Sequence, residues 1–184
     1  MHGGIVSSNR NETRIERYTK KLGNAKTFPI SVATVNFMFD ENLGFVVRSA
    51  ACFGAEAVHV IGSTPNKAVL KSKSGSTDHF VTIVQHQTPS DFLEWCRNNN
   101  VSVVSAELND SAVELTDYHP TFDKHVCIVV GHEETGVPAE ISAHSDNVYI
   151  EMPGVGFCLN TSQTANIMLH NLTQKYRATN FLHA

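Results

Sequence analysis

The sequence predicts an α/β fold, a mostly parallel sheet of five or six strands with helices on both faces. Three observations predict it. Short runs rich in β-branched and apolar residues recur at 30–37, 58–61, 81–84, 101–106, 125–130 and 148–152, and VCIVV at 126–130 is apolar throughout, as suits a strand covered on two faces. Segments with helical spacing or helix-starting residues separate these runs, the alternation that parallel strands need for their crossovers. The chain has 184 residues, 41% hydrophobic and 17% charged, which is enough for one well-buried core and cramped for two. Residues 1–184 therefore read as a single domain.

Each element has its own justification. Residues 9–22 form a polar, basic helix with few apolar anchors, so residues 1–28 read as an arm that meets a partner rather than as core. The run ISVATVNF at 30–37 is a buried strand. Asp40 or Asn42 caps the helix that follows, whose inward stripe is Leu43, Val46, Val47, Ala50, Ala51 and Phe53, and Gly54 ends it. The strand at 58–61 completes a parallel β-α-β unit. Residues 62–79, GSTPNKAVLKSKSGSTDH, are polar, basic and glycine-bearing, and read as a mobile functional loop with no more than one turn of helix. After the strand at 81–84, Pro89 opens a helix to about Asn98 with Phe92, Leu93 and Cys96 inward. A strand at 101–106, an acidic irregular stretch at 107–123, a very apolar strand at 125–130 and a short helix at 138–144 follow.

The stretch VYIEMPGVGFCLNTSQTANIMLH at 148–170 compresses a strand, a crowded turn and a helix. Pro153, Gly154 and Gly156 stop regular structure and let backbone come close to a neighbour. Asn160, Thr161 and Ser162 favour a helix start, and Ala165, Ile167, Met168, Leu169 and Leu172 give the helix an apolar face. Its free N–H groups and positive dipole end would face a ligand in the turn. The same stretch also fits an ordinary strand-to-helix connection with a glycine hinge.

Composition narrows the function. No run is long enough to span a membrane, and the polar start lacks the apolar segment of a secretory signal, so a soluble cytoplasmic protein is expected. Cys52, Cys96, Cys127 and Cys158 form no C-x-x-C pair and sit in or beside apolar runs, which favours buried free thiols over disulfides or zinc ligands. The ten histidines show no convincing ligand spacing, and no metal is expected. Net charge is -4, yet residues 1–73 hold ten Lys or Arg against five Asp or Glu, while 74–184 hold four against thirteen. Arg10, Arg14, Arg17, Lys20, Lys21 and Lys26 cluster early, and Lys67, Lys71 and Lys73 form a second group with no nearby acid in sequence. No G-x-G-x-x-G, P-loop or G-x-S-x-G pattern follows any strand, which removes support for dinucleotide, triphosphate and hydrolase-elbow chemistry.

Ligands of parallel sheets sit beyond the carboxyl ends of the strands, a rule that selects residues 39–48, 106–110, 131–138 and 153–162. These loops hold the chain's least expected residues. Asn42, Gly44 and Arg48 lie on the first turns of a helix, and Glu133 sits between Gly131 and Gly136 directly after the most apolar strand. A glutamate there is costly to desolvate unless it meets donors.

Three blocks, Asn42-Leu43-Gly44 with Arg48, Gly131-His132-Glu133-Glu134-Thr135-Gly136, and Ile150-Glu151-Met152 leading to Cys158-Leu159-Asn160-Thr161-Ser162, resemble the three motifs of the SpoU-type RNA 2′-O-ribose methyltransferases of the SPOUT superfamily. Order and intervals match over roughly residues 30–175. The resemblance implies S-adenosylmethionine as cofactor, a C-terminal deep trefoil knot roughly over 125–175, and a homodimer through the last helix, about 161–178. It implies an RNA substrate, tRNA more than rRNA, and no membrane. By the same resemblance the cofactor rests on backbone of Gly131, Ile150 and Leu159, with Glu107, Met152 and Ser162 beside it. The catalytic set is Arg48, Asn42, Glu133 and Asn160, with Arg48 holding phosphate and stabilising developing alkoxide, because a guanidinium stays protonated. Asn42 could instead be a helix cap, Glu133 a partner for backbone N–H groups, and Asn160 a turn residue.

The family's usual serine is replaced here by Cys158, a poorer hydrogen-bond donor. With low overall charge, phosphate contact falls to the basic residues of 10–26 and to Lys67, Lys71 and Lys73. Two other readings remain: a catalytically silent knotted protein that binds RNA or a partner, and a knotted enzyme that methylates a base nitrogen.

Overall fold

The computed structural model describes residues 12–63 and 66–181. Helix α1 (Arg14–Leu22) precedes β1 (Phe28–Val35), α2 (Asp40–Phe53) and β2 (Ala55–Ile61). Then come α3 (Lys67–Ser74), β3 (Thr82–His86), α4 (Pro89–Asn98), β4 (Val101–Ala106) and the two-residue β5 (Val113–Glu114). The chain closes with β6 (His125–Val130), α5 (Ala139–Ser142), β7 (Asp146–Tyr149) and α6 (Thr161–Phe181). The strands form one seven-stranded sheet in the order β3-β2-β1-β6-β4-β7-β5. Every pairing in it is parallel.

Alternation along the central strands builds a core on each face. Ile30 and Val32 of β1 with Val126, Ile128 and Val130 of β6 pack against Leu43, Val46 and Val47 of α2, Leu70 of α3 and Met168, Leu169 and Leu172 of α6. Ala33 and Val35 with Cys127 and Val129 point the other way, onto Phe92, Leu93 and Cys96 of α4 and Ile141 of α5. Each fully buried Leu, Ile or Phe contributes about 1.5–3 kcal/mol of transfer free energy, so these two layers hold the sheet between its helices.

The sheet has seven strands where five or six were expected, because β5 is too short to leave a sequence pattern. The loop predicted at 62–79 contains a two-turn helix instead. Asn66 caps α3 by accepting from Ala68 and Val69, and Gly75 closes it at φ 64°. The α3 run buries only Leu70 and Ser74, so it carries no apolar stripe. Neither Asp40 nor Asn42 caps α2. The Asp40 carboxylate instead accepts the Asn66 N–H at 3.1 Å, tying the starts of α2 and α3 together.

Helix α1 begins with a Thr13–Glu16 capping box; residues 9–11 of the expected arm helix lie outside the described residues. It is docked rather than loose, since Tyr18 donates to the Gly75 carbonyl and its ring lies 5.3 Å from that of Phe80. All four cysteines are free, but only Cys96 and Cys127 are buried; Cys52 and Cys158 are exposed, contrary to expectation. Burial pushes the Cys96 thiol up to about 12, and Cys127 is raised for the same reason. No helix among the described residues is long and apolar enough to cross a membrane.

Candidate active site

Strands β1, β4, β6 and β7 deliver four loops to one end of the sheet. The loop after β6 is a tight turn closed by an antiparallel bridge between His132 and Gly136. Gly136 takes φ 70°, and a Cβ on Gly131 would lie 2.0 Å from the Gly136 carbonyl carbon, so both positions require glycine. Glu107, after β4, braces this turn. Its carboxylate accepts the Val137 N–H at 2.9 Å and the Leu108 N–H at 3.2 Å.

Glu133 points from that turn toward the β1–α2 connection. It accepts from the Met38 N–H at 2.8 Å, the Phe39 N–H at 3.4 Å and the Asn42 amide at 2.6 Å. Burial pushes its carboxyl up, but the bonds from Met38 and Asn42, with further backbone donors, outweigh this and hold it below the usual range. Asn42, only 5% exposed, accepts in turn from the Asn160 amide at 3.1 Å. The Asn160 side-chain oxygen takes the Ser162 N–H at 2.8 Å and its hydroxyl at 2.6 Å. One of the first free N–H groups of α6 is thereby satisfied. A single polar relay, Glu133–Asn42–Asn160–Ser162, thus joins three loops that are far apart in sequence.

Beside the relay lies a cavity of about 260 Å³. Val130, Val148, Ile150, Met152 and Leu159 supply apolar wall, while Glu107, His132, Thr161 and Thr164 supply polar groups. Five of the six residues expected at a cofactor, Gly131, Ile150, Leu159, Glu107 and Met152, line it. Ser162 does not; it sits in the relay and lines a neighbouring groove. Leu108, Tyr149 and Phe157 also line the cavity and were missed by sequence reasoning, although Tyr149 ends β7 and follows from the strand-end rule. Cys158 lines it as well. Gly154 and Gly156 have no atom within 4 Å of an added Cβ, so the close approach expected of them is not made. Their loop stands open, with Val155 and Phe157 96% and 98% exposed.

The neighbouring groove, about 660 Å³, runs between α2 and α6 and is lined by Asn42, Phe45, Ser49, Asn160, Asn166 and Ile167 among others. Leu159 belongs to both spaces. Arg48 is exposed, lines neither, and makes no hydrogen bond or ion pair with the described residues. Among the described residues no group of three or more His, Cys, Asp or Glu could hold a metal ion.

Fold and site together define a parallel α/β protein with an apolar-walled cleft at its strand ends, bordered by a relay across three loops. The chain belongs to the SpoU rRNA Methylase family, whose model matches residues 29–170. It is 24% identical over 161 residues to a tRNA (guanosine(18)-2′-O)-methyltransferase of Escherichia coli, covering 87% of this chain and 69% of that one. The fold is shared with the A. aeolicus TrmH/SpoU tRNA modifying enzyme at TM-score 0.75 and 20% identity, over 90% of this chain and 85% of that one. It is shared too with the SpoU methyltransferase AviRb of Streptomyces viridochromogenes in complex with AdoMet, at TM-score 0.74 and 18% identity. There the match covers 86% of this chain but only 64% of that one, so this chain spans less than two thirds of AviRb.

Proposed function

We propose that this chain is an S-adenosylmethionine-dependent RNA methyltransferase that acts on a ribose 2′-hydroxyl, of tRNA in preference to rRNA. One observation carries the reading: residues of all three family-like blocks meet in the Glu133–Asn42–Asn160 relay at the edge of a cleft walled by Ile150, Met152 and Leu159. The tRNA-modifying relative in Escherichia coli and the AdoMet bound in AviRb support substrate class and cofactor. The cleft suits that cofactor, because a group with an adenine ring and a sulfonium fits apolar walls with a few placed polar contacts.

Gly131, Ile150, Leu159, Glu107 and Met152 hold the cofactor, which supplies an electrophilic methyl group when bound. The relay fixes the three loops so that the acceptor hydroxyl is aligned rather than searching. Arg48 holds the phosphate beside that hydroxyl and stabilises the developing alkoxide, while the proton leaves through phosphate or water. Asn42, Glu133 and Asn160 position these groups. The resemblance of the chain to knotted enzymes supports a trefoil knot in the C-terminal part. Phe45 and Ile167, 43% and 37% exposed beside the α2–α6 groove, support a homodimer through α6, and a tRNA substrate supports a cytoplasmic location.

The test is incubation with S-adenosylmethionine and tRNA, then digestion to nucleosides and mass spectrometry. The expected product is one 2′-O-methylated nucleoside; a methyl found on a base, or none, ends the proposal. The position of Arg48 outside the cavity and the Cys158 thiol favour a second reading, a silent RNA-binding protein. Calorimetry with S-adenosylmethionine separates the two, since a silent scaffold gives no binding heat.

A further inference from the structure

Of the side chains that line the cleft, only His132 carries an N–H, and no lysine or arginine is among them. The imidazole is held in place. Backbone bonds of 3.0 Å in each direction between His132 and Gly136 close the turn after β6, and the Glu134 N–H donates to His132 Nδ1 at 3.1 Å. A ring nitrogen that accepts carries no hydrogen, so the imidazole is neutral and its proton sits on Nε2. That Nε2 makes no hydrogen bond with the described residues, and the residue is half-buried.

Most other polar side chains of the cleft are already engaged or shut away. Glu107 takes the Val137 and Leu108 N–H groups, and Glu133 belongs to the relay. The Thr164 hydroxyl donates to the Asn160 carbonyl at 3.3 Å, and Thr161 Oγ1 is buried. The Tyr149 hydroxyl is the other strong donor without a bond to the described residues.

Charge decides what the free imidazole N–H can meet. Glu107 and Glu133 are the acidic groups of the lining, and they face no cation within it. They favour the ammonium at the amino-acid end of S-adenosylmethionine and disfavour its carboxylate. An ionised carboxylate that leaves water without a partner is costly, so it needs a donor already oriented toward the cleft.

We infer that His132, through its Nε2–H, binds the carboxylate of the cofactor and so selects for its complete amino-acid end. This rests on the S-adenosylmethionine reading and adds a cofactor-binding residue to it. The imidazole acts as a donor and not as a base, because its accepting nitrogen is occupied by the Glu134 N–H.

The experiment is calorimetry on the full chain with S-adenosylmethionine and with its decarboxylated analogue, which keeps the sulfonium and the amine. Wild type is compared with His132→Phe, His132→Gln and Tyr149→Phe, and melting temperature is recorded for each. His132→Phe should weaken S-adenosylmethionine roughly 10-fold, the effect of one hydrogen bond to a charged group, and leave the decarboxylated analogue at its wild-type affinity. His132→Gln, which restores an N–H donor, should recover most of the loss. Equal losses for both ligands would mean that the ring only shapes the turn, and overturn the assignment, as would no loss for either. A carboxylate-dependent loss in Tyr149→Phe in place of His132→Phe would overturn it as well. A wild type that binds neither ligand overturns the cofactor reading itself.

Discussion

Acid should destabilise this protein through one buried imidazole. His59 is wholly buried in β2. Its ring lies 4.4 Å from that of Trp95 and 5.9 Å from that of Phe92, while Nδ1 is 2.9 Å from His86 Nε2 and its own Nε2 has no partner among the described residues. Burial, with lesser repulsion from His86 and His125, lowers its pKa from 6.5 to about 3. The unfolded chain therefore takes up this proton first, so the stability is complete above about pH 6.5 and is lost as pH falls toward 3. At pH 5 the unfolded imidazole is charged and the folded one neutral. That gap of about 1.5 units costs about 2 kcal/mol, or roughly 4–8 °C in melting temperature for a domain of this size. His86 is lowered too, mainly by burial and against the opposing Asp91, and adds in the same direction. The assay is thermal unfolding by circular dichroism at pH 7 and pH 5, in wild type and in His59→Leu, which cannot titrate. The variant should lose about 2 kcal/mol less between the two values; equal losses would refute the assignment to His59.

Three further outcomes are expected. In a double-mutant cycle on Asn42→Ala and Glu133→Ala, denaturant unfolding should give a coupling of about 1.5–3 kcal/mol, as befits a bond to a charged group, whereas additive costs would mean the pair is not formed. Arg48→Ala should abolish methyl transfer while oligomeric mass and cofactor affinity stay near wild type, and retained transfer would remove Arg48 from the mechanism. The Lys175 ammonium donates to the carbonyls of Leu115, Thr116 and Tyr118 at 2.6, 3.1 and 2.7 Å, so Lys175→Met should cost about 2 kcal/mol in urea unfolding and loosen hydrogen exchange at residues 115–118.

The parts of the fold read most sharply were those where one physical signal acted alone. Helix α4 and strands β4 and β6 fall on the predicted residues because Pro89 fixes a start and the strands are short apolar runs with polar flanks. Helix α3 escaped because its inward face is only Leu70 and Ser74, too sparse for a period. Its cap, Asn66, was legible but unweighed. The site was legible as a place before it was legible as a network. The strand-end rule chose four loops that do converge, yet nothing local in the sequence pairs Asn42 with Glu133, 91 positions away. Asp40 shows the same limit, since a residue suited to capping its own helix is used to hold another. Exposure of Cys52 and Cys158 was misread because a flanking apolar run says nothing of which side faces solvent.

The division of labour at the site follows from how each half is held. The cleft walls Val130 and Val148 are also core residues, at 1% exposure each, so the sheet that folds the protein shapes the cofactor side without further cost. The relay side has no such support. It depends on loops that carry glycine and polar residues, and those lose much entropy on ordering. The relay answers this by spending Glu133, a charge whose desolvation is offset by the Met38 and Phe39 N–H groups and the Asn42 amide. A neutral residue at 133 would leave those donors weakly paired and free the β1–α2 connection, which carries the start of the helix bearing Arg48. Glu133 thus fixes where α2 begins relative to the cleft.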